Sequence, residues 1–468
     1  MGQKPARAAI RFAKSVAVLS LVMCAGVRVS LAGEPELPKG VGPLPDLSKG
    51  VKAGAIVTSQ HAHLYRMLLP PELAPMLDRG ELAFEAVGAP REPARFVTQR
   101  ASAETVATLT QSGSIQDPSG GKAMVSPVFE PPRSASGDLS QVGYKVLWNA
   151  ASLSWRHDSL SVASSALIFK SSEDSPHKLE FNVERTHPRK IGEVTGTLEP
   201  VFRERISARK PAAIENLSWL TLRFFGSGED FLWAASPVIN QIRQMTGSNR
   251  SDAMFTGIFA PDDLFVWSGK VELVEPSGLA LVPMLVPMLE TKEVKAEPRE
   301  RCQMWSLRGD AGVTLNYQSS RFKGAGAWIP TNTVMALRSV WRIELATRDP
   351  FSLDARQTLY VDRDTGLPVY RVVWDEAGRL RKLSLGILRS LQREGTQPEP
   401  IIAGQVLIHG AGAGRLVMTT DAFATCAGYP PARSKADFDP SSFVRFSAPQ
   451  TGTQKKLEQA KDSEDSSD

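Results

Sequence analysis

None of the residues able to carry chemistry stands in a spacing that completes a catalytic motif. The chain has no GxSxG or HExxH sequence and no GxxxxGK phosphate loop. The spaced glycines Gly410, Gly412 and Gly414 run into Arg415 and Leu416, a pattern that suits a link between strands. His61 and His63 could share a metal only on an extended segment, because two helical steps separate side chains by about 200°. The helical reading of that stretch makes them surface or capping groups. His157, between Arg156 and Asp158, reads as a solvated turn histidine rather than a base. The paired acids Glu229-Asp230 and Asp262-Asp263 read as turns or caps. The expectation is a protein with no catalytic residue, no metal and no cofactor.

Two other residue sets are informative. Cys302 and Cys426 lie in no CxxC pair, which weakens zinc and redox readings; in an exported chain a bridge between them is favoured over two separate thiols. The nine tryptophans fall mostly in or beside expected strands. Such rings on one face of a curved sheet either pack as plain core or line a gap that takes an acyl chain or another apolar guest. Trp219, Trp233, Trp267, Trp341, Tyr360 and Trp374 are the expected cavity wall. Met284 and Met288, in the repeated Val-Pro-Met-Leu of 282–289, are the expected cavity mouth, with a proline-broken edge strand as the alternative.

The elements that must position these residues begin after a leader. Residues 1–32 carry Lys4, Arg7, Arg11, Lys14 and Arg28, no acid, an apolar run from Val16 to Val27 and a Ser30-x-Ala32 cleavage pattern, the features of a secretory signal peptide. The run is shorter than the ~20 residues of a membrane helix. Met23 before Cys24 departs from a lipoprotein signal, so a lipid-anchored outer-membrane form is the lesser expectation. Of 55 Lys and Arg, five lie in the leader, which leaves 50 against 50 Asp and Glu. The mature chain is neutral, and this removes the support for a nucleic-acid partner.

Residues 33–55 are rich in Pro, Gly and Lys and read as a flexible segment. Residues 56–137 read as a helical and loop region: apolar residues at helical spacing across 56–80, broken by Pro70 and Pro71, predict a short helix pair. A further short helix is expected near 103–110. From 138 to 446 the pattern is β. Strands are expected at 145–149, 160–170, 178–184, 217–225, 263–274, 312–317, 339–346, 357–362, 367–375, 380–385 and 401–407, in an antiparallel meander. The turns at 364–366 and 375–378 combine acids with glycine and should pair the strands beside them. The tail 447–468 is polar and expected to be disordered.

Three stretches resemble a family of exported proteobacterial proteins of unknown function, DUF1329, grouped with outer-membrane lipoprotein-sorting proteins. They are Leu68-Leu-Pro-Pro-Glu-Leu73 leading to Leu77-Asp-Arg-Gly80, the segment 243–264 with its Ser-Asp, Gly-x-Phe and Asp-Leu, and the hairpins of 340–383. Their order is more specific than any one of them. The chain departs from the family at 278–303 and in its tail. The resemblance implies a fold like the periplasmic lipoprotein carrier LolA and its outer-membrane receptor LolB: mainly β with helices, a strongly curved antiparallel sheet forming an incomplete barrel with a helical plug. It further implies lid elements before Gly80 and near 237–246. The function implied is a periplasmic carrier or receptor for a lipid, a lipoprotein acyl chain or another apolar molecule moving toward the outer membrane, beside an inner-membrane exporter and an outer-membrane component. A half-barrel regulator of envelope stress offers the alternative, a sensor or assembly partner acting through a protein interface.

Overall fold

The computed structural model describes residues 56–82, 84–85, 139–152, 157–169, 176–187, 200–224, 228–236, 241–255, 259–289, 296–307, 333–391, 399–410, 414–430 and 433–441. The leader 1–32, the segment 33–55, the helix near 103–110, the strand 312–317, the tail 447–468, Trp155 and Trp328 lie outside the described residues.

Along the chain the strands are β1 (Ile56–Val57), β2 (Phe84–Glu85), β3 (Ser159–Phe169), β4 (His177–Thr186), β5 (Phe202–Lys210), β6 (Ser218–Arg223), β7 (Phe231–Ser236), β8 (Gln241–Met245), β9 (Val274–Leu289), β10 (Glu297–Arg299), β11 (Cys302–Ser306), β12 (Thr333–Thr347), β13 (Arg356–Asp362), β14 (Pro368–Trp374), β15 (Leu380–Leu391), β16 (Glu399–His409) and β17 (Arg415–Cys426). The α-helices are α1 (Ala62–Tyr65), α2 (Ala74–Asp78) and α3 (Leu139–Ser152). Hydrogen bonding runs β8-β7-β6-β5-β4-β3-β17-β16-β15-β14-β13-β12-β9, and every neighbour is antiparallel. β9 then meets β15 again at one parallel bridge, Met288 to Leu388, so that β9 and β12–β15 close a partial ring. This is the mainly β, curved antiparallel sheet with few helices that the sequence predicts.

β17 changes partners along its length. Residues Arg415 to Thr419 pair with β16, and Ala422 to Cys426 pair with β11. Cys302 and Cys426 stand directly opposite in that second half and are joined by a disulfide.

Side chains alternate across the sheet, so each face has its own core. On one face Leu68, Leu73 and Leu77 of the α1–α2 region pack with Leu285, Tyr370, Leu385 and Val406. On the other, Tyr144, Leu147 and Trp148 of α3 pack with Trp341, Ile343, Leu359 and Val361. A third cluster joins β3–β5 to Met254, Phe259 and Leu264.

The expected strands at 160–170, 178–184, 217–225, 339–346, 357–362, 367–375, 380–385 and 401–407 appear as β3, β4, β6, β12, β13, β14, β15 and β16. Gly366 and Gly378 hold the two hairpin turns at φ 72° and 75°, where a side chain would be strained. Three expectations are corrected. Residues 145–149 are helical: Tyr144, Leu147, Trp148 and Ala151 repeat at i, i+3, i+4 and i+7, which outweighs the short β-like run inside them. Part of the lid segment 237–246 is strand β8, paired to β7. Residues 263–274 are largely a plug, with only Val274 entering a strand. Two 3-10 turns, Pro261–Asp263 and Val271–Leu273, bracket Phe265 and Val266 at φ 54° and 69°. Successive plug residues enter different cores, Leu264 the third, Val266 the first and Trp267 the second.

Candidate functional site: an apolar cleft with a charged wall

The plug, α3 and the start of β16 enclose a cleft. Its apolar lining includes Trp148, Leu160, Phe202, Phe265, Trp267 and Ile402. It offers about 110 Å³ to the centres of water-sized molecules, several times the ~10–15 Å³ that one water occupies on that measure. Trp267 can lie on this wall because residue 269 is glycine: a Cβ there would stand 2.5 Å from the indole Nε1.

At the rim, His157 Nε2 and Glu399 Oε1 are 2.8 Å apart and half-buried. Behind them His187 Nδ1 donates to the His157 carbonyl at 2.9 Å, since a carbonyl oxygen only accepts. Burial, with Arg185 nearby, pushes the His187 pKa down to about 3, so this ring is neutral.

The deeper wall is charged. Arg185, Arg223 and Lys270 line the cleft together with Glu272. Arg185 donates to Glu204 and to Ser268 Oγ, and its Cζ lies 4.2 Å from the Phe202 ring centre. The Arg223 Cζ lies 5.0 Å from the same centre; its Nε donates to Asp230 and its Nη1 to the Ser268 and Gly269 carbonyls. Lys270 Nζ donates to the Gly228 carbonyl and to Asp230. Arg250 bonds Asp262 and Thr221 and lies 3.5 Å from Glu204. Burial alone would raise the Glu204 pKa, but Arg185 and Arg250 outweigh it and hold the carboxyl below its usual range. Burial wins at Asp262 and raises its pKa despite Arg250 and Arg223.

A second charged set fixes the plug. On adjacent strands β14, β15 and β16, Arg371, Lys382 and Gln405 face it. Arg371 Nη1 and Lys382 Nζ both donate to Asp263, at 2.7 and 2.8 Å. Arg371 and Arg381 also bond Asp354, whose carboxyl they and Lys382 hold low against burial. Asp263 caps its own 3-10 turn by accepting from the Ala260 N–H. The acid pair 262–263 is therefore both cap and buried ion-pair partner.

Of the expected cavity residues, only Trp267 lines the cleft. Trp341 is 1% exposed and belongs to the α3 core. Tyr360 and Trp374 pack in the cluster on the opposite face. Trp219 stands edge-on to Phe255 in the third cluster, and Trp233 packs beside Leu220 and Phe438. Met284 and Met288 are buried behind the ring and form no mouth. β9 keeps β12 on one side and a single bridge on the other, so its prolines fit a nearly free edge. His61 is a cap: its Nδ1 accepts from the Thr58 N–H. Among the described residues no group of three His, Cys, Asp or Glu could hold a metal.

Sequence reasoning missed Arg185, Phe202, Arg223, Lys270 and Ile402. One signal was available: Arg371 in Pro368–Trp374 and Gln405 in Glu399–His409 sit inside runs of apolar residues, where a polar side chain must be buried and paired.

The fold and cleft define a curved-sheet protein with a plugged face and a largely apolar cleft. No family model matches the chain, and no curated protein matches it in sequence. Its structural neighbours are of the DUF1329 and LolA types. A structure described as a candidate outer membrane lipoprotein-sorting protein domain from Vibrio parahaemolyticus is 12% identical, spans 65% of this chain and all of its own, and has a TM-score of 0.43. A DUF1329 family protein from Desulfovibrio piger is 14% identical over 66% of this chain and all of its own, TM-score 0.43. A LolA superfamily protein from Nitrosomonas europaea is 12% identical over 64% of this chain and 98% of its own, TM-score 0.33.

Proposed function

We propose that the protein is an exported, non-catalytic carrier or receptor that takes a lipid, a lipoprotein acyl chain or another apolar molecule into the cleft for passage toward the outer membrane. The observation that carries this reading is the cleft itself, mostly apolar in its lining and bordered by the plug. Each methylene moved from water into such a wall contributes about 0.8 kcal/mol, so affinity requires no reactive group. The cross-strand disulfide suits an oxidising compartment, in keeping with a periplasmic site of action.

The test is native mass spectrometry of protein purified from a bacterial periplasm, followed by extraction and identification of bound molecules. A stoichiometric lipid supports the reading and gives the cargo class. A protein that emerges clean and fails to take up a fluorescent fatty acid overturns it and favours the sensor or assembly role.

A further inference from the structure

We infer that the cargo is an amphiphile with a single oxyanion head, a carboxylate or a phosphate monoester, and that Arg223 and Lys270 receive this head at the charged wall of the cleft. This rests on the carrier reading and adds the chemistry of the guest.

Three observations carry it. First, the Arg223 side chain is 9% exposed, yet its Nη2 has no hydrogen-bond partner among the described residues; Asp262 Oδ1 is 3.9 Å away. A buried guanidinium nitrogen without an acceptor is costly, and a head-group oxygen would supply one after a small shift of the side chain. Second, Lys270 has three N–H donors and uses two, on Gly228 and Asp230. Third, the guanidiniums of Arg185 and Arg223, paired with Glu204 and Asp230, lie over one ring, Phe202, and both line the cleft.

The side from which the head approaches follows from the linings of two neighbouring cavities. Arg223, Trp267, Gly269 and Lys270 separate the cleft from a smaller polar cavity of about 40 Å³. That cavity contains Asp230, Asp262, Asp349 and Asp354 beside Arg223, Arg250 and Lys270, with Asp354 also bonded by Arg371 and Arg381. On the cleft side stand Arg185, Arg223 and Lys270 against Glu272 and Glu399, and Glu399 is engaged by His157. The apolar surface lies on the cleft side, so the head is received from the front, with its chain along Phe202, Phe265 and Ile402.

The experiment uses the whole mature protein with dansyl-undecanoic acid, its methyl ester, dodecyl phosphate and dodecylamine. The acid is expected to bind at least tenfold more tightly than the ester, and the amine should not displace it. Displacement by dodecyl phosphate at comparable concentration identifies the shared oxyanion chemistry, and preference for one of the two identifies the source. In Arg223→Gln or Lys270→Met the acid should lose its advantage while the ester binds as before. Equal binding of acid and ester by the unmodified protein overturns the inference and leaves the carrier reading standing, even if both variants fail to fold. Failure of every probe to bind overturns both.

Discussion

Gln405 and Val266, 139 residues apart, are joined by a hydrogen bond from the Val266 N–H to Gln405 Oε1 at 3.0 Å, while Gln405 Nε2 donates to the Asp263 carbonyl at 2.7 Å. One fully buried amide thus holds both ends of the plug turn, including a β-branched residue in the left-handed region. Gly386 completes the seat: a Cβ there would stand 2.6 Å from Val266 Cγ2. Gln405→Leu leaves two backbone groups buried and unpaired, and should cost about 2–4 kcal/mol. Urea unfolding measures the loss, and hydrogen exchange should show the Val266 amide exposed before those of β14.

Asp263 is the shared counter-charge of Arg371 and Lys382, all three almost wholly buried. Asp263→Asn should destabilise the protein by about 3–5 kcal/mol, because two buried cations lose the charge they share and Arg371 keeps only Asp354. The exposed pair Arg379–Asp375 is the control: Asp375→Asn should leave the urea midpoint unchanged. Equal effects would refute the structural role given to Asp263.

His187 makes stability depend on pH. Its folded pKa of about 3 lies below the ordinary 6.5, so between these values the unfolded chain binds a proton that the folded one does not. Stability is full above pH 6.5 and falls as the pH drops, by up to about 1.4 kcal/mol per unit, or about 2 kcal/mol at pH 5. His187→Asn keeps a donor for the His157 carbonyl and removes the titrating ring. Unfolding midpoints for this variant should fall less between pH 6.5 and 5 than those of the parent protein.

The disulfide spans 124 positions of sequence. On the chain-entropy model its removal costs about 5 kcal/mol, an upper figure since measured losses are often smaller. Cys302→Ser with Cys426→Ser should lower the urea midpoint, and a reductant should shift the parent protein but not the double variant.

Cleft and core tryptophans should separate. Ala151→Trp, on the cleft side of α3, should abolish uptake of an apolar probe with little change in unfolding midpoint. Trp341→Ala empties a site that is 1% exposed and should cost about 3–5 kcal/mol. If Ala151→Trp takes up the probe normally, the cleft is not where cargo binds.

Much of this architecture was legible in the order of residues. Alternation and acid-glycine turns located β12 to β16, because period-two patterning and positive-φ glycines are local properties. The paired cysteines were visible, and their direct opposition on β11 and β17 came only with the register. The plug was not legible: 263–274 has the aromatic and β-branched content of a strand, yet its side chains enter three cores in succession. Gln405, Arg371 and Lys382, brought from strands more than a hundred residues away, hold that backbone in place. The cavity wall escaped for the same reason. Nine tryptophans announced large apolar surfaces, but a single residue of register decides which face each ring joins. Sequence by itself determined a curved antiparallel sheet with rings to bury. Tertiary structure decided that Trp341 and Tyr360 became core, and that Trp148, Phe202 and Trp267 surround the space a guest could fill.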